Sequence, residues 1–178
     1  MPTELFLRDA RRDDMPAIQA IYAVQVLHGL ASFELEPPTC DEMTRRWQEI
    51  CHHGLPYLVA EHAGGVVGYA YASLYRPRPA YRHTVEDSIY VREDQIGRGV
   101  GRALLGALIE RAEQGGWRQM VAIIADTGDV ASLALHEKLG FERTGVLRCV
   151  GFKHGRWLDT LLLQRRLGVG EQAPPERA

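Results

Sequence analysis

Residues 93–116 read EDQIGRGVGRALLGALIERAEQGG, with glycines at 97, 99 and 101 running directly into a segment whose apolar residues repeat at helical spacing. Each glycine costs roughly 0.5–1 kcal/mol of backbone entropy relative to alanine, so alternate glycines ahead of a helix need a compensating use. A flexible turn is one reading. The other is a cradle, in which backbone N–H groups and the positive end of a helix dipole converge on an anion. Leu104, Leu105, Leu108, Ile109 and Ala112 form the buried stripe of the helix that follows, and Gly115–Gly116 end it.

The rest of the chain confines such an anion site to a small folded protein. At 178 residues the length suits one domain, and 46% hydrophobic with 25% charged residues is an ordinary globular balance. A net charge of −2 without a basic block argues against bulk-charge recognition of nucleic acid; Arg11–Arg12 and Arg165–Arg166 read as solvated surface. The opening MPTELFLRDARRDD turns charged at once, so no secretory signal is expected there, and no apolar run approaches the ~18 residues of a membrane span. Cys40, Cys51 and Cys149 are far apart and odd in number, which fits free thiols in a reducing cytoplasm. No histidine or cysteine spacing suits a metal, and His52–His53 point apart on a helix.

Along the chain, ELFLRDA reads as a short strand, and Asp13 or Asp14 caps a helix carrying Ile18, Ile21 and Tyr22. Pro37–Pro38 break ASFELEPPT, and Thr39 with Glu42 forms a capping-box signature for a helix with Met43, Trp47 and Ile50 on one face. PYLVAEHAGGVVGYAYASLY reads as a hairpin turning at Ala63–Gly64–Gly65. RPRPAYR interrupts, HTVEDSIYV is the next strand, and RQMVAIIAD is a buried one. VASLALHEKLG is a short helix capped by Gly140, and two strands turn near His154–Gly155. The domain is expected over residues 1–167, with 168–178 a disordered tail. A hairpin followed by strand–helix alternation makes a mixed α/β sheet rather than a purely parallel one.

Two kinds of phosphate loop compete for the glycines. A dinucleotide fingerprint needs G-x-G-x-x-G close behind its strand, with an acidic residue such as Asp126 for the ribose. Here the spacing is G-x-G-x-G, and residues 92–96 intervene. A Walker loop is excluded because no GK[ST] follows. IYVREDQIGRGVGRALL instead resembles the strand–loop–helix segment of the GNAT N-acetyltransferases, in which acetyl-CoA lies against the loop. DVASLALHEKLGF resembles a later segment of the same family, usually N-x-x-S…(Y/H)-x-x-x-G-F. RPRPAYRHTVEDSIYV, ASLALHEKLGF, VGFKHGRWLDT and ASFELEPPT narrow the resemblance to the branch acetylating phosphinothricin and methionine sulfoximine or sulfone, over about Leu5 to Leu167.

The resemblance implies a GNAT fold, a mixed and mostly antiparallel sheet flanked by helices in one domain. It also implies acetyl-CoA as donor, no metal, a small amino-acid-like acceptor, a homodimer and a cytoplasmic setting. Donor contacts are implied at Ile89, Tyr90 and Val91, at Ile96, Gly97, Arg98, Gly99, Val100, Gly101 and Arg102, and at Asp129, Ser132 and His136. Two positions depart from the pattern. Ile96 stands where Arg or Gln is common, with Gln95 one place earlier, and Asp129 replaces the usual Asn.

Acetyl transfer needs a neutral amine, and an α-amino group of pKa ~8 is mostly protonated at pH 7, so a carboxylate must take its proton. From the residues alone, Glu86 and Asp87 are both open to that role; the position of Glu86 in TVED resembles the base of the related enzymes. Val85, Ile89 and Val91 break the strand's alternation, which predicts a bulge freeing an N–H to polarise the thioester. His136 stands where many relatives place an acidic tyrosine. A thiol of pKa ~8.5 leaves without much help, so no acid role is assigned to it. Ser132 and His136 lie one helical turn apart, but no nucleophile elbow or third partner supports a hydrolase triad. For the acceptor, Arg76 in YRPRP suits bidentate carboxylate binding, with Arg78 secondary, and Phe33 and Tyr81 wall the side chain. By resemblance, Lys153, His154 and Trp157 close the site across a subunit boundary. Other small amines, a protein N-terminus, or a CoA-binding regulator without turnover are the alternative functions.

Overall fold

The computed structural model describes residues 4–128 and 130–175. Seven strands form one sheet in the order β1-β2-β3-β4-β5-β7-β6. They are β1 (Phe6–Asp9), β2 (Tyr57–His62), β3 (Gly65–Leu74), β4 (Thr84–Val91), β5 (Gln119–Ala125), β6 (Glu142–Lys153) and β7 (Arg156–Arg166). Among the described residues, only the β4–β5 pairing is parallel. The four α-helices are α1 (Met15–Leu27), α2 (Cys40–His52), α3 (Val100–Gln114) and α4 (Ala131–Lys138). This is the mixed, mostly antiparallel single-domain α/β architecture expected.

Two cores lie on the two faces of the sheet. On one, the α3 stripe Leu104, Leu105, Leu108, Ile109 and Ala112 packs against Ala70 and Ala72 of β3, Val85 of β4 and Met120 of β5. On the other, Met15, Ile18, Ile21 and Tyr22 of α1 and Met43 of α2 pack on Tyr57 and Tyr69. Side chains alternate across each strand, so the sequence pattern sorts them between these cores. Gly68 sets the closeness of α3: a Cβ there would lie 3.1 Å from Leu104 Cδ1 and from Val100 Cγ1.

The local signals resolve into definite contacts. Thr39 Oγ1 accepts from Glu42 N at 3.2 Å and starts α2. The β2–β3 turn puts Ala63 and Gly64 at φ +51° and +79°, both in the left-handed region a two-residue hairpin turn needs. Asp14 does not cap α1 with its side chain. Its carboxylate accepts from Arg11 N at 2.7 Å and is gripped by Arg8, so it caps the preceding turn.

Three further expectations differ from what is found. β4 has no bulge, because its register with β3 runs unbroken from Gly68↔Val91 to Leu74↔Val85. What interrupts the apolar face of Val85, Ile89 and Val91 is Asp87, a buried carboxylate pointing to that face. Arg165 is not a plain surface residue, since it donates to Leu139 O at 2.7 Å and so satisfies the end of α4. Residues 168–175, expected as unstructured, fold back through a short 3₁₀ turn at Gly170–Gln172; Arg118 donates to Gly170 O at 3.4 Å, and Arg166 pairs with Glu171.

Candidate active site

β4 and β5 run parallel for only three residue pairs, ending at Glu86↔Val121. Beyond that point the strands diverge, and the β5-facing backbone of β4 loses its strand partner. A cavity of about 730 Å³ opens in this fork. Glu86, Ser88, Ile89 and Tyr90 line one wall, Ala122–Ala125 the other, and Ser132 and His136 of α4 and residues 28–34 after α1 complete it. The open backbone expected from a bulge is supplied here by strand divergence.

Glu86 sits at the apex of the fork, half-buried, on the face it shares with Ser88 and Tyr90. Burial and the adjacent Asp87 charge push its pKa up to about 7, against a smaller opposing pull from Arg76. A carboxylate poised there is a proton acceptor at neutral pH. Asp87, the rival from sequence, points through to the other face, where its Oδ2 lies 3.0 Å from His136 Nε2. The other ring nitrogen of His136 lies 2.7 Å from Ser132 O. Burial disfavours the imidazolium, but the bond to Asp87, its charge and the Ser132 carbonyl outweigh this and raise the pKa of His136. This pairing escaped the sequence reading. The available signal was a charged residue on an otherwise apolar strand face, because a buried charge must find a partner.

The roof over the fork is the segment joining α1 to α2, and it is tied down from three sides. The Tyr22 hydroxyl lies 2.8 Å from Ser32 Oγ and donates to Glu34 Oε1 at 2.9 Å. Arg46 of α2 donates to Glu34 at 2.6 Å. Lys153 at the end of β6 donates to Ser32 O at 2.6 Å and to Gln25 O at 3.4 Å. Phe33 lies across Gly151, where a Cβ would come within 2.3 Å of its ring. Lys153 is thus buried within its own chain, whereas Trp157 is 64% exposed and His154 sits in the β6–β7 turn at φ +50°. Beneath the roof Tyr22 packs edge-on against Tyr90 at 5.0 Å, and Tyr57, Tyr69 and Tyr71 stack into a stiff floor.

At the other end of β4 the glycine loop has the geometry of an anion cradle. Gly97 and Gly99 adopt φ +78° and +84°, and a Cβ at either would meet no atom within 4 Å. No protein contact requires glycine at these two positions; they hold a left-handed backbone and leave its approach open. Gly99 is the N-cap of α3 and brings no side chain to it, so the first amides of the helix face outward. The residues present therefore fit a diphosphate. Gly101 differs: its absent Cβ would lie 3.3 Å from Leu135 Cδ2 and 3.9 Å from Ile89 Cδ1, so it lets α3 pack on α4 and β4. Val100 is buried by its side chain, while Arg98 and Arg102 are exposed. Ile96 is 60% exposed, and Gln95 turns inward to bond Asp94, so it does not take the place of a residue at 96.

The other candidates divide. Ile89, Tyr90, Ser132, His136 and Phe33 all line the fork, whereas Val91 lines a separate cavity of about 500 Å³ beside α1. Asp129 lies outside the described residues. Arg76, Arg78 and Tyr81 do not line the fork cavity. They sit on the exposed segment before β4, where the Arg76 guanidinium lies 5.0 Å above the Tyr75 ring and Tyr81 packs edge-on against Tyr75 at 5.7 Å. Among the described residues no group of histidine, cysteine and carboxylate side chains could hold a metal ion.

The sequence and the fold both have known counterparts. Residues 7–162 match the acetyltransferase (GNAT) domain family. A phosphinothricin N-acetyltransferase of Alcaligenes faecalis is 55% identical over 96% of this chain and 86% of its own length. An L-methionine sulfoximine/L-methionine sulfone acetyltransferase of Pseudomonas aeruginosa is 43% identical over 94% and 98%. The crystal structure of a phosphinothricin acetyltransferase from Sinorhizobium meliloti with acetyl-CoA is 47% identical, covering 98% of this chain and 94% of that one, and superposes with a TM-score of 0.94.

Proposed function

The chain belongs to the GNAT acetyltransferase family, and from that premise we propose that it acetylates the α-amine of a small amino-acid analogue such as phosphinothricin, methionine sulfoximine or methionine sulfone. Acetyl-CoA is the donor substrate, and transfer is direct. The observation that carries this reading is Glu86, half-buried at the apex of the fork with its pKa raised to about 7.

With Glu86 at about 7 and an α-amine at ~8, the proton to be moved and the group that takes it are closely matched. General bases work best under that condition. The freed amine attacks the thioester carbonyl, and the developing charge on its oxygen meets the β5-facing backbone of β4. The Gly97–Gly101 cradle holds the diphosphate and fixes the donor along β4. Collapse of the adduct breaks the C–S bond; the nitrogen gives up its second proton, the departing thiolate of pKa ~8.5 takes one up to leave as the CoA thiol, and Glu86 returns the first to the medium. Arg76 stands at the rim, close enough for its charge to be felt at Glu86. It binds the carboxylate of the incoming amino acid, with Arg78 and Tyr81 beside it and Phe33 against the side chain.

The active unit is a homodimer of a cytoplasmic enzyme, and its action on such analogues confers resistance to them. Val146, Leu147, Val150, Phe152 and Trp157 expose an apolar band along the β6–β7 edge, each at least 46% accessible, and that band supports a self-association face.

Free-thiol release from acetyl-CoA is the test, with phosphinothricin, methionine sulfoximine, methionine sulfone, ordinary amino acids, polyamines and a short peptide as acceptors. Saturable turnover confined to the first three is expected. Turnover only with polyamines or the peptide overturns the role given to Arg76, and no turnover with any amine overturns the enzyme reading.

A further inference from the structure

Neighbours on a strand point to opposite faces, so Glu86 faces the acceptor side of β4 while Asp87 faces α4. Both Asp87 and His136 side chains are only 2% exposed, and their contact is 3.0 Å. The Ser132 carbonyl can only accept, so the His136 Nδ1 at 2.7 Å from it carries a proton. Nε2 then faces a carboxylate oxygen, which is also an acceptor. Without a further proton, two lone pairs would oppose each other in a site shielded from water. That proton makes the pair an imidazolium and a carboxylate, neutral overall. Both ring protons are committed to these acceptors, so neither is free to be donated into the cavity. Among the described residues the buried Asp87 Oδ1 has no partner, and His136 is what the carboxylate bonds. Phe141 closes the other side of the ring, edge-on at 5.0 Å.

We propose that Asp87 and His136 form a buried proton-holding pair that sets the proton affinity of Glu86 through the strand, with His136 a positioning residue and not the proton donor to the leaving thiol. The inference rests on the reading of Glu86 as the base. The charged and titratable groups around Glu86 come from several elements. Asp87 is its neighbour on β4, Tyr71 approaches from β3 and Arg76 from the segment before β4. Glu34 lies in the roof with its charge taken up by Arg46, and His136 is on α4 behind the strand. Of these, Asp87 is the adjacent like charge, and such a charge holds a carboxylate in its protonated form to higher pH. His136, 3.0 Å from Asp87 Oδ2, partly offsets that charge from behind the strand. The pair therefore raises the base from the usual carboxylate range toward neutrality from the cavity wall, with both ring protons already bonded.

The first measurement needs no variant. In the intact enzyme, ¹⁵N shifts of the His136 ring are expected to report both nitrogens protonated at pH 7, where an ordinary imidazole is mostly neutral. In Asp87→Asn the ring is expected to titrate to the Nδ1–H tautomer. A neutral His136 in the intact enzyme at pH 7 overturns the proposal. The second measurement is the pH profile of kcat/KM at saturating acetyl-CoA. Asp87→Asn is expected to move its acid limb down by about one pH unit, a tenfold gain at the foot of the limb. The double variant Asp87→Asn/His136→Gln, two amides able to keep the hydrogen bond, is expected to share that limb and to hold its plateau within about tenfold of the parent. A plateau lower by the 10²–10⁴-fold typical of a lost acid–base group makes His136 a proton donor and overturns its positioning role. A limb that does not move leaves the pair merely structural and overturns the tuning. Glu86→Gln separates this from the broader reading: if it retains turnover the base assignment fails, whereas the ring shifts still decide the state of the pair.

Discussion

At the α3 end of the cleft the surface on offer is main chain. Gly97 and Gly99 lie open at positive φ, the first amides of the helix face outward, and the nearby side chains at 96, 98 and 102 are exposed. At the fork, 86–90 and α4 do the opposite. Side chains converge there, two carboxylates sit side by side, and one of them depends on a single histidine 49 residues away in sequence. A backbone cradle tolerates substitution at its side chains but not at its glycines. A side-chain site tolerates little at its chemical groups, yet it can be retuned by a neighbour such as Asp87. The two ends should therefore fail differently.

The largest effect is expected at the fork. Glu86→Gln should lower kcat by about 10²–10⁴-fold with little change in the KM for acetyl-CoA, measured by thiol release. The same change should stabilise the protein at alkaline pH. Glu86 has a folded pKa near 7, above its ordinary 4.5. Its contribution to stability is therefore fully present below about 4.5 and is lost as pH rises through 7. Above pH 7 the variant should melt higher than the parent, by about 1–3 kcal/mol in unfolding free energy. Equal melting temperatures at pH 8 would show that Glu86 is better solvated than its position implies.

Gly99→Val tests the other end. A β-branched residue at φ +84° is strained by roughly 1–2 kcal/mol, and distorting the cap misdirects amides worth about 1 kcal/mol each. The KM for acetyl-CoA should rise about 10–100-fold, since 1.4 kcal/mol is tenfold, with kcat nearly retained. Gly101→Ala sharpens the contrast. Its new Cβ meets Leu135 at 3.3 Å, so it should lower the melting temperature while leaving KM within a few-fold. A large KM effect from Gly101 and none from Gly99 would reverse the assignment of the cradle.

A smaller effect is expected from the strap that joins the roof to the β6–β7 hairpin. Lys153→Met keeps the apolar stem and deletes the donations to Ser32 O and Gln25 O. Losing them should cost about 1–3 kcal/mol in urea unfolding. The KM for the acceptor should rise several-fold, because residues 28–34 roof the cavity, while the KM for acetyl-CoA stays put. If the acceptor KM is unmoved, the roof is held well enough by Tyr22, Glu34 and Arg46.

What could be read in advance follows the same division. The α3 stripe, the Thr39 cap, the Gly64 turn and the left-handed backbone at Gly97 and Gly99 are local patterns, decided within about ten residues, and each is found where the spacing put it. The Asp87–His136 pair, the Lys153 strap and the fork itself join segments 49, 121 and 35 residues apart. No periodicity encodes such partners. The bulge expected in β4 shows the cost of a local rule: Val85, Ile89 and Val91 share one face after all, and what interrupts it is a charge at Asp87 partnered from a distant helix. Arg76 is the reverse case, a residue suited to carboxylates that stands on the rim instead of in the cavity. Its role depends on where an acceptor sits, which neither spacing nor the fold dictates.

The smallest effect bears on the one side chain the cradle lacks. Ile96 is 60% exposed beside Gly97, and Gln95 is turned inward onto Asp94. If the main chain does nearly all the holding, Ile96→Arg should lower the KM for acetyl-CoA by only about two- to fivefold. That corresponds to the ~0.5–1 kcal/mol of an exposed charge facing a phosphate. The gain should shrink as salt is raised from about 0.05 to 0.5 M, because an exposed pair is screened over a Debye length of about 10 Å at 0.1 M. A gain of a hundredfold, insensitive to salt, would mean that the side chain reaches a shielded position and that the cradle is less complete than its backbone suggests. No gain at all would place the diphosphate deeper along α3, on the amides of Val100 to Arg102, beyond reach of residue 96.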